Sequence, residues 1–199
     1  MEDPVGRTTC CSGPAAPPVG SAYYVLAGRR PLSFGVRHHE FTESITHMQP
    51  TCDVVSVSPL LLALTQEELP RSQIPVRIRG MFDIVYAWLR DAPVRQAGHN
   101  YALYDQCTPQ SLRVQVGFPV SGRFADTDLV KCVQLAPGRA AHAVHVGQYA
   151  NLHRTYAVLH AWCSQRALPL TGQSWEVYGD PTEDPSKLET GLFLRVNEA

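Results

Sequence analysis

The sequence predicts an α+β fold: a pseudo-twofold duplication of a β-α-β-β unit, forming an antiparallel sheet with helices on one face and a ligand cleft at the seam. Three observations predict it. Ala87-Trp88, at the end of one apolar helical stripe, recurs as Ala161-Trp162 at the end of another. At the same offset, Tyr101-Ala102-Leu103-Tyr104 recurs as Trp175-Glu176-Val177-Tyr178. At nearly that offset the alternating run Leu112-Val114-Val116-Phe118-Val120 recurs as Leu188-Thr190-Leu192-Leu194-Val196. A unit repeated in this way buries its apolar face best against a second copy of itself.

Residues 1–52 form a flexible or poorly patterned N-terminal segment. Pro4, Gly6, Gly13, Pro14, Pro17, Pro18 and Gly20 lie among small polar residues, a composition that cannot build a core. Only Ala22–Leu26 suggests a short strand there. Residues 53–199 form the folded domain, with units at about 53–136 and 137–199. Val55–Leu64 reads as its first strand. Pro75 suits a first helical turn, and Ile78, Met81, Phe82, Val85, Trp88 and Leu89 then repeat at helical spacing until Pro93. That spacing makes Trp88, and Trp162 in the second unit, core residues. Strands follow at 100–105, 112–120 and 129–135, and the second alternates strictly. After the Pro137-Gly138 turn come a strand at 140–146 and a break at Gly147. A helix at about 149–167 carries Leu152, Tyr156, Leu159, Trp162 and Cys163 on one side. Strands at 173–179 and 187–196 end the second unit.

Composition excludes several function classes. With Lys+Arg 17 against Asp+Glu 18 the net charge is −1, and no basic run offers a nucleic-acid or anionic-membrane surface. No apolar run is long enough to cross a bilayer, and the N-terminus lacks a secretory pattern, which predicts a cytoplasmic protein without membrane contact. The six cysteines form no C-x-x-C pair and no disulfide framework. His142 and His145, three apart on a strand, point to opposite faces and make a poor metal pair. His38-His39-Glu40 lies in an unpatterned region. No cofactor or metal is expected, since no phosphate-binding glycine motif or nucleophile elbow is present.

The two copies differ most in chemistry where Ala102 in the first meets Glu176 in the second. Period-two geometry puts Ser174, Glu176 and Tyr178 on one strand face and Trp175 and Val177 on the other. The helices are expected to cover Trp175-Val177 and Tyr101-Leu103, which leaves Tyr104, Glu176 and Tyr178 facing the seam, joined by Phe193. A carboxylate among aromatic rings attracts cations, because each ring face contributes about 0.5–2 kcal/mol when desolvated. Such a site suits flat, apolar, positively charged molecules.

Residues 53–198 resemble the gyrase-inhibitor-like small-molecule-binding domain, also found as the effector-binding half of multidrug-responsive transcription regulators. The matching stretches are Val116-Gly117-Phe118-Pro119-Val120, His145-Val146-Gly147-Gln148-Tyr149, Ser174-Trp175-Glu176-Val177-Tyr178, Asp180-Pro181 and Leu188-Glu189-Thr190. The resemblance implies a cleft between two β-α-β-β units, with Glu176 inside it and Tyr149 beside it. The candidate ligand-binding residues are therefore Glu176, Tyr178, Tyr104, Tyr149, Phe193 and Trp175. Gly191 and Arg195 depart from the family's usual acidic residue and proline, so pocket size is not transferred.

The resulting expectation is a stand-alone binder of amphipathic aromatic or cationic compounds, acting in drug sequestration or sensing. Residues 1–52 lack two clean amphipathic helices, so direct nucleic-acid binding is not expected. The alternative is a hydrolase: some members of the resembling family open cyclopropane-bearing natural products. Glu176 would then be the catalytic residue, with Tyr178 or Tyr104 as proton partner. No Ser/His/Asp or Cys/His arrangement supports covalent chemistry. A third reading, suggested by the family name, is a protein partner such as gyrase or a regulator.

Overall fold

The computed structural model describes residues 50–105, 108 and 110–197. The readings made for the N-terminal segment, including Ala22–Leu26 and His38-His39-Glu40, lie outside the described residues. The elements in chain order are β1 (Cys52–Val57), β2 (Leu60–Pro70), α1 (Ile74–Leu89), β3 (Asn100–Asp105), β4 (Ser111–Pro119) and β5 (Lys131–Leu135). They continue with β6 (Gly138–Val146), α2 (Leu152–Gln165), β7 (Leu170–Tyr178) and β8 (Glu189–Val196). Pro75 falls in the first turn of α1, where its missing N–H costs nothing. A single 3₁₀ turn, Tyr149–Asn151, precedes α2, so that helix starts later than its apolar stripe suggests.

All strand pairings are antiparallel, in the order β1-β6-β8-β7-β3-β4-β2-β5. On either side of the β7–β3 pairing the order is alike: β6-β8-β7 mirrors β2-β4-β3. The β7–β3 register places Ala102 directly opposite Glu176. A second glutamate at position 102 would set two like charges side by side across the ladder.

The expected strand Val55–Leu64 is in fact two strands. Ser58-Pro59 interrupts it, since proline cannot donate to a ladder, and β1 and β2 then join distant parts of the sheet. Six strand spacings separate them in the order, about 29 Å if the sheet were flat. A two-residue link spans at most about 11 Å. The sheet must therefore curl until its ends approach, and the equally short β5–β6 link at Ala136-Pro137 imposes the same closure.

Curling decides which face meets the helices, and it reverses the expectation. Register places Val116, Ala102, Glu176, Leu192 and Ala143 on one face. That face packs beneath α1 through Met81 and beneath α2 through Leu159 and Cys163. Tyr101, Leu103, Trp175 and Val177 instead occupy the inner curve, where Leu62, Leu64, Leu135 and Ala140 pack against them with no helix involved. A curled sheet can bury this face against itself, a route that strand alternation alone does not reveal. Trp88 and Trp162 are half-buried, packed against the core beneath their helices.

Arg195 lies on the inner curve. Its guanidinium sits 4.9 Å from the Trp175 ring centroid and donates to the Ala136 carbonyl at 2.9 Å and the Pro137 carbonyl at 3.4 Å. It thereby ties the β5–β6 crossover to β8. Arg195→Ala is expected to cost about 1–3 kcal/mol, through lost stacking and charge-assisted hydrogen bonds. Urea unfolding checks this, and an unchanged midpoint would refute it. Gly191 faces the same way: a Cβ there would lie 2.9 Å from Phe193 Cε2, so the Phe193 ring fills the space.

No helix among the described residues is long and apolar enough to cross a membrane.

Candidate functional site

Glu176 sits in β7 on the helix-covered face and is 6% exposed. Three phenols converge on it. Tyr104 of β3 donates to Oε2 at 3.2 Å, and Tyr178 donates to the same oxygen at 2.5 Å. Tyr156 of α2 donates to Oε1 at 3.2 Å. Tyr178 reaches Oε2 because it lies two residues along the same strand face. Tyr104 does so because β3 pairs with β7 on that face, and the small Ala102 opposite Glu176 leaves the carboxylate room.

Burial pushes the Glu176 carboxyl above its ordinary range, while the three phenol hydrogen bonds pull it back down. The phenols of Tyr104, Tyr156 and Tyr178 are held well above their usual range, first by burial and then by the Glu176 charge. They therefore remain protonated donors. Among the described residues no Lys, Arg or His forms an ion pair with Glu176. Its charge is hydrogen-bonded but not neutralised.

Tyr149 stands edge-on to Tyr178, with centroids 5.5 Å apart and rings at 90°, and is 47% exposed. The Glu176 charge helps raise its phenol, after burial, which puts it within electrostatic reach of the carboxylate. Phe82 of α1 also packs edge-on with Tyr178, with centroids 5.9 Å apart. The loop bearing Tyr149 is fixed by His145. Its Nε2 lies 3.1 Å from the Gln148 carbonyl, which only accepts, so Nε2 carries the proton and Nδ1 accepts from Thr155 Oγ1 at 2.8 Å. Burial lowers the His145 pKa and favours this neutral form. Gly147 turns the chain there with φ +127°, a conformation that favours glycine.

The structure thus brings together Glu176, Tyr104, Tyr178 and Tyr149, and it adds Tyr156. Tyr156 was read only as part of the α2 apolar stripe. It follows Tyr149 by seven residues, across the 3₁₀ turn and the start of α2, and that spacing is the signal that brings both to one side. Trp175 and Phe193 do not join them. They stack on each other at 5.2 Å and 4° on the inner curve, because Phe193 pairs with Trp175 while Leu192 pairs with Glu176. His142 also lies on that face, stacked on Phe193 and hydrogen-bonded to Asp53 at 3.0 Å, whereas His145 faces the helices. A hollow of about 460 Å³, lined by Tyr86, Leu89, Arg90, Ala92, Val94, Arg95 and Gln96, includes none of the candidate residues. Among the described residues no cluster of three or more His, Cys, Asp or Glu could hold a metal.

A family model described as a GyrI-like small molecule binding domain matches residues 52–197. Solved structures share the fold. The C-terminal domain of EcmrR aligns at 14% identity and TM-score 0.66, covering 76% of this chain and 100% of that one. In the EcmrR–DNA complex the match has 16% identity and TM-score 0.68, and spans 59% of the EcmrR chain. SAV2435 bound to tetraphenylphosphonium aligns at 16% identity and TM-score 0.56, covering 74% of this chain and 94% of that one. A protein from Listeria innocua described as a hydrolase aligns at 16% identity and TM-score 0.50, covering 73% and 91%. No curated protein matches the chain.

Proposed function

The chain belongs to the GyrI-like small-molecule-binding family, and from that premise we propose that it binds amphipathic aromatic cations at Glu176, in drug sequestration or sensing. One observation carries the reading: a buried carboxylate held by three neutral donors and by no basic side chain among the described residues. Desolvation of that charge is costly, and a cation seated on the phenol rings recovers part of the cost. The half-exposed Tyr149 supplies the outermost ring. A lipophilic cation with spread charge and flat rings fits better than a small, strongly hydrated ammonium, because the rings offer π faces and few free acceptors. The tetraphenylphosphonium held by the similar SAV2435 supports the class of ligand.

The test is a pair of fluorescence titrations with dyes of like ring system and opposite charge, rhodamine 6G and fluorescein. Saturable binding of the cation alone is expected, and equal binding of both would overturn the proposal. Tyr156→Phe should weaken the cation by about 3–10-fold, since it removes one donor that favours the ionised carboxylate. An unchanged affinity would place the ligand away from Tyr156.

A second reading uses the same residues as a hydrolase. A carboxyl raised by burial, with phenols as proton partners, has the make-up of a general acid or base. Incubation with a cyclopropane-bearing natural product, followed by mass analysis, decides it. Ring-opened product that disappears in Glu176→Gln supports hydrolysis, and unchanged compound supports binding alone.

A further inference from the structure

Of the three free cysteines among the described residues, Cys52 and Cys163 share one apolar cluster. Cys52 opens β1, and its cross-strand partner is Ala143 of β6, on the helix-covered face. Cys163 lies in the last turns of α2 and is 1% exposed. Both belong to one apolar cluster with Ala141, Ala143, Leu159, Leu192, Leu194 and Val196. The Arg166 guanidinium acts on both thiols, and Cys52 acts on Cys163, so the three groups lie within electrostatic reach of one another. Both are free thiols, and Cys52 is the more accessible.

We propose that Cys52 and Cys163 form a reversible disulfide that fastens the edge strand β1 to helix α2. The oxidant is a small disulfide of the glutathione class. The Cys52 thiolate attacks one sulfur of oxidised glutathione, giving a mixed disulfide and releasing one glutathione thiolate. The Cys163 thiolate then attacks the Cys52 sulfur, closing the protein disulfide and releasing the second glutathione. The order follows from access: Cys163 is too buried to meet a bulky oxidant, whereas Cys52 is partly open. Burial raises the pKa of both thiols and Arg166 offsets only part of that rise, so exchange is expected to be slow at neutral pH and faster as pH increases.

Such a bond would matter in two ways. Among the described residues β1 pairs only with β6, at one edge of the sheet, so a crosslink to α2 stops it fraying. Tyr156 and Cys163 are seven residues apart on α2 and share one side of it, so the same bond fixes the helix that places Tyr156 on Glu176. The effect on ligand affinity rests on the proposed binding site, whereas the disulfide itself does not.

The test treats the full chain with oxidised glutathione, blocks remaining thiols with iodoacetamide and digests with trypsin. A species joining peptides 38–71 and 155–166, two hydrogens lighter than their sum and split by dithiothreitol, is expected. Cys52→Ser should abolish it, and Cys132→Ser should leave it intact. The oxidised protein should also melt about 5 °C or more above the reduced protein. Alkylation of both thiols without a crosslink, or glutathione persisting on Cys52, would overturn the proposal. If the crosslink forms but dye affinity does not change, the disulfide stands and its link to the binding site falls.

Discussion

Glu176→Gln is expected to weaken tetraphenylphosphonium binding by about 10–100-fold near neutral pH while leaving the thermal midpoint unchanged or raised. The first part follows from charge. A carboxylate a few ångströms from a bound cation contributes about 1.5–3 kcal/mol in a partly desolvated site, and each 1.4 kcal/mol is tenfold. The second part follows from the burial that raises the Glu176 carboxyl. A carboxyl whose folded-state pKa lies above its unfolded value stabilises the fold while protonated. That contribution is complete below the ordinary value of 4.5 and is lost as pH rises through the raised one. Above that window the wild type carries a buried charge held by three phenols but by no basic side chain among the described residues, and glutamine carries no charge. Calorimetric binding and melting on the same samples check both parts. A variant that loses affinity only because it unfolds would refute the account.

Gly117→Ala should cost at least about 3 kcal/mol or prevent folding. A Cβ at position 117 would lie 1.9 Å from the Ala63 carbonyl oxygen and 2.9 Å from its carbonyl carbon, both backbone atoms of β2. Neither can move without displacing the β2–β4 ladder, where Gly117 pairs with Leu64. Glycine permits this close approach of the β2 backbone. Gly80→Ala is the matched control. Its Cβ meets nothing within 4 Å inside α1, so it should gain about 0.5–1 kcal/mol of helix propensity. Urea unfolding of the pair separates a local clash from any general intolerance of alanine, and a mild loss at Gly117 would contradict the curled geometry.

Most of the secondary structure was legible because its signals are local. Pro75 lies in the first turn of α1 and the strict alternation of β4 buries Leu112, Val114, Val116 and Phe118, as the pattern implied. The face that meets the helices was not legible. Trp175 and Val177 pack in one apolar cluster and Tyr178 in another, and only the curl of the sheet decides which of the two lies inside. That curl depends on two short links, Ser58-Pro59 and Ala136-Pro137, whose effect appears only once strand pairing is known. The candidate site was legible through Glu176 and Tyr178, which share a strand face, and through Tyr104 at the matching position of the sequence repeat. Phe193 was misplaced for a related reason: its register against Trp175, rather than its own alternation, fixes its side of the sheet.

Proton-linked calorimetry with tetraphenylphosphonium reads out whether the Glu176 charge meets a cation, because the ligand itself does not titrate. Affinity should rise with pH as the raised Glu176 carboxyl ionises and then level off, with up to one proton released on binding inside that window and none in Glu176→Gln. An affinity independent of pH with no proton release, or the same profile in wild type and Glu176→Gln, would contradict it.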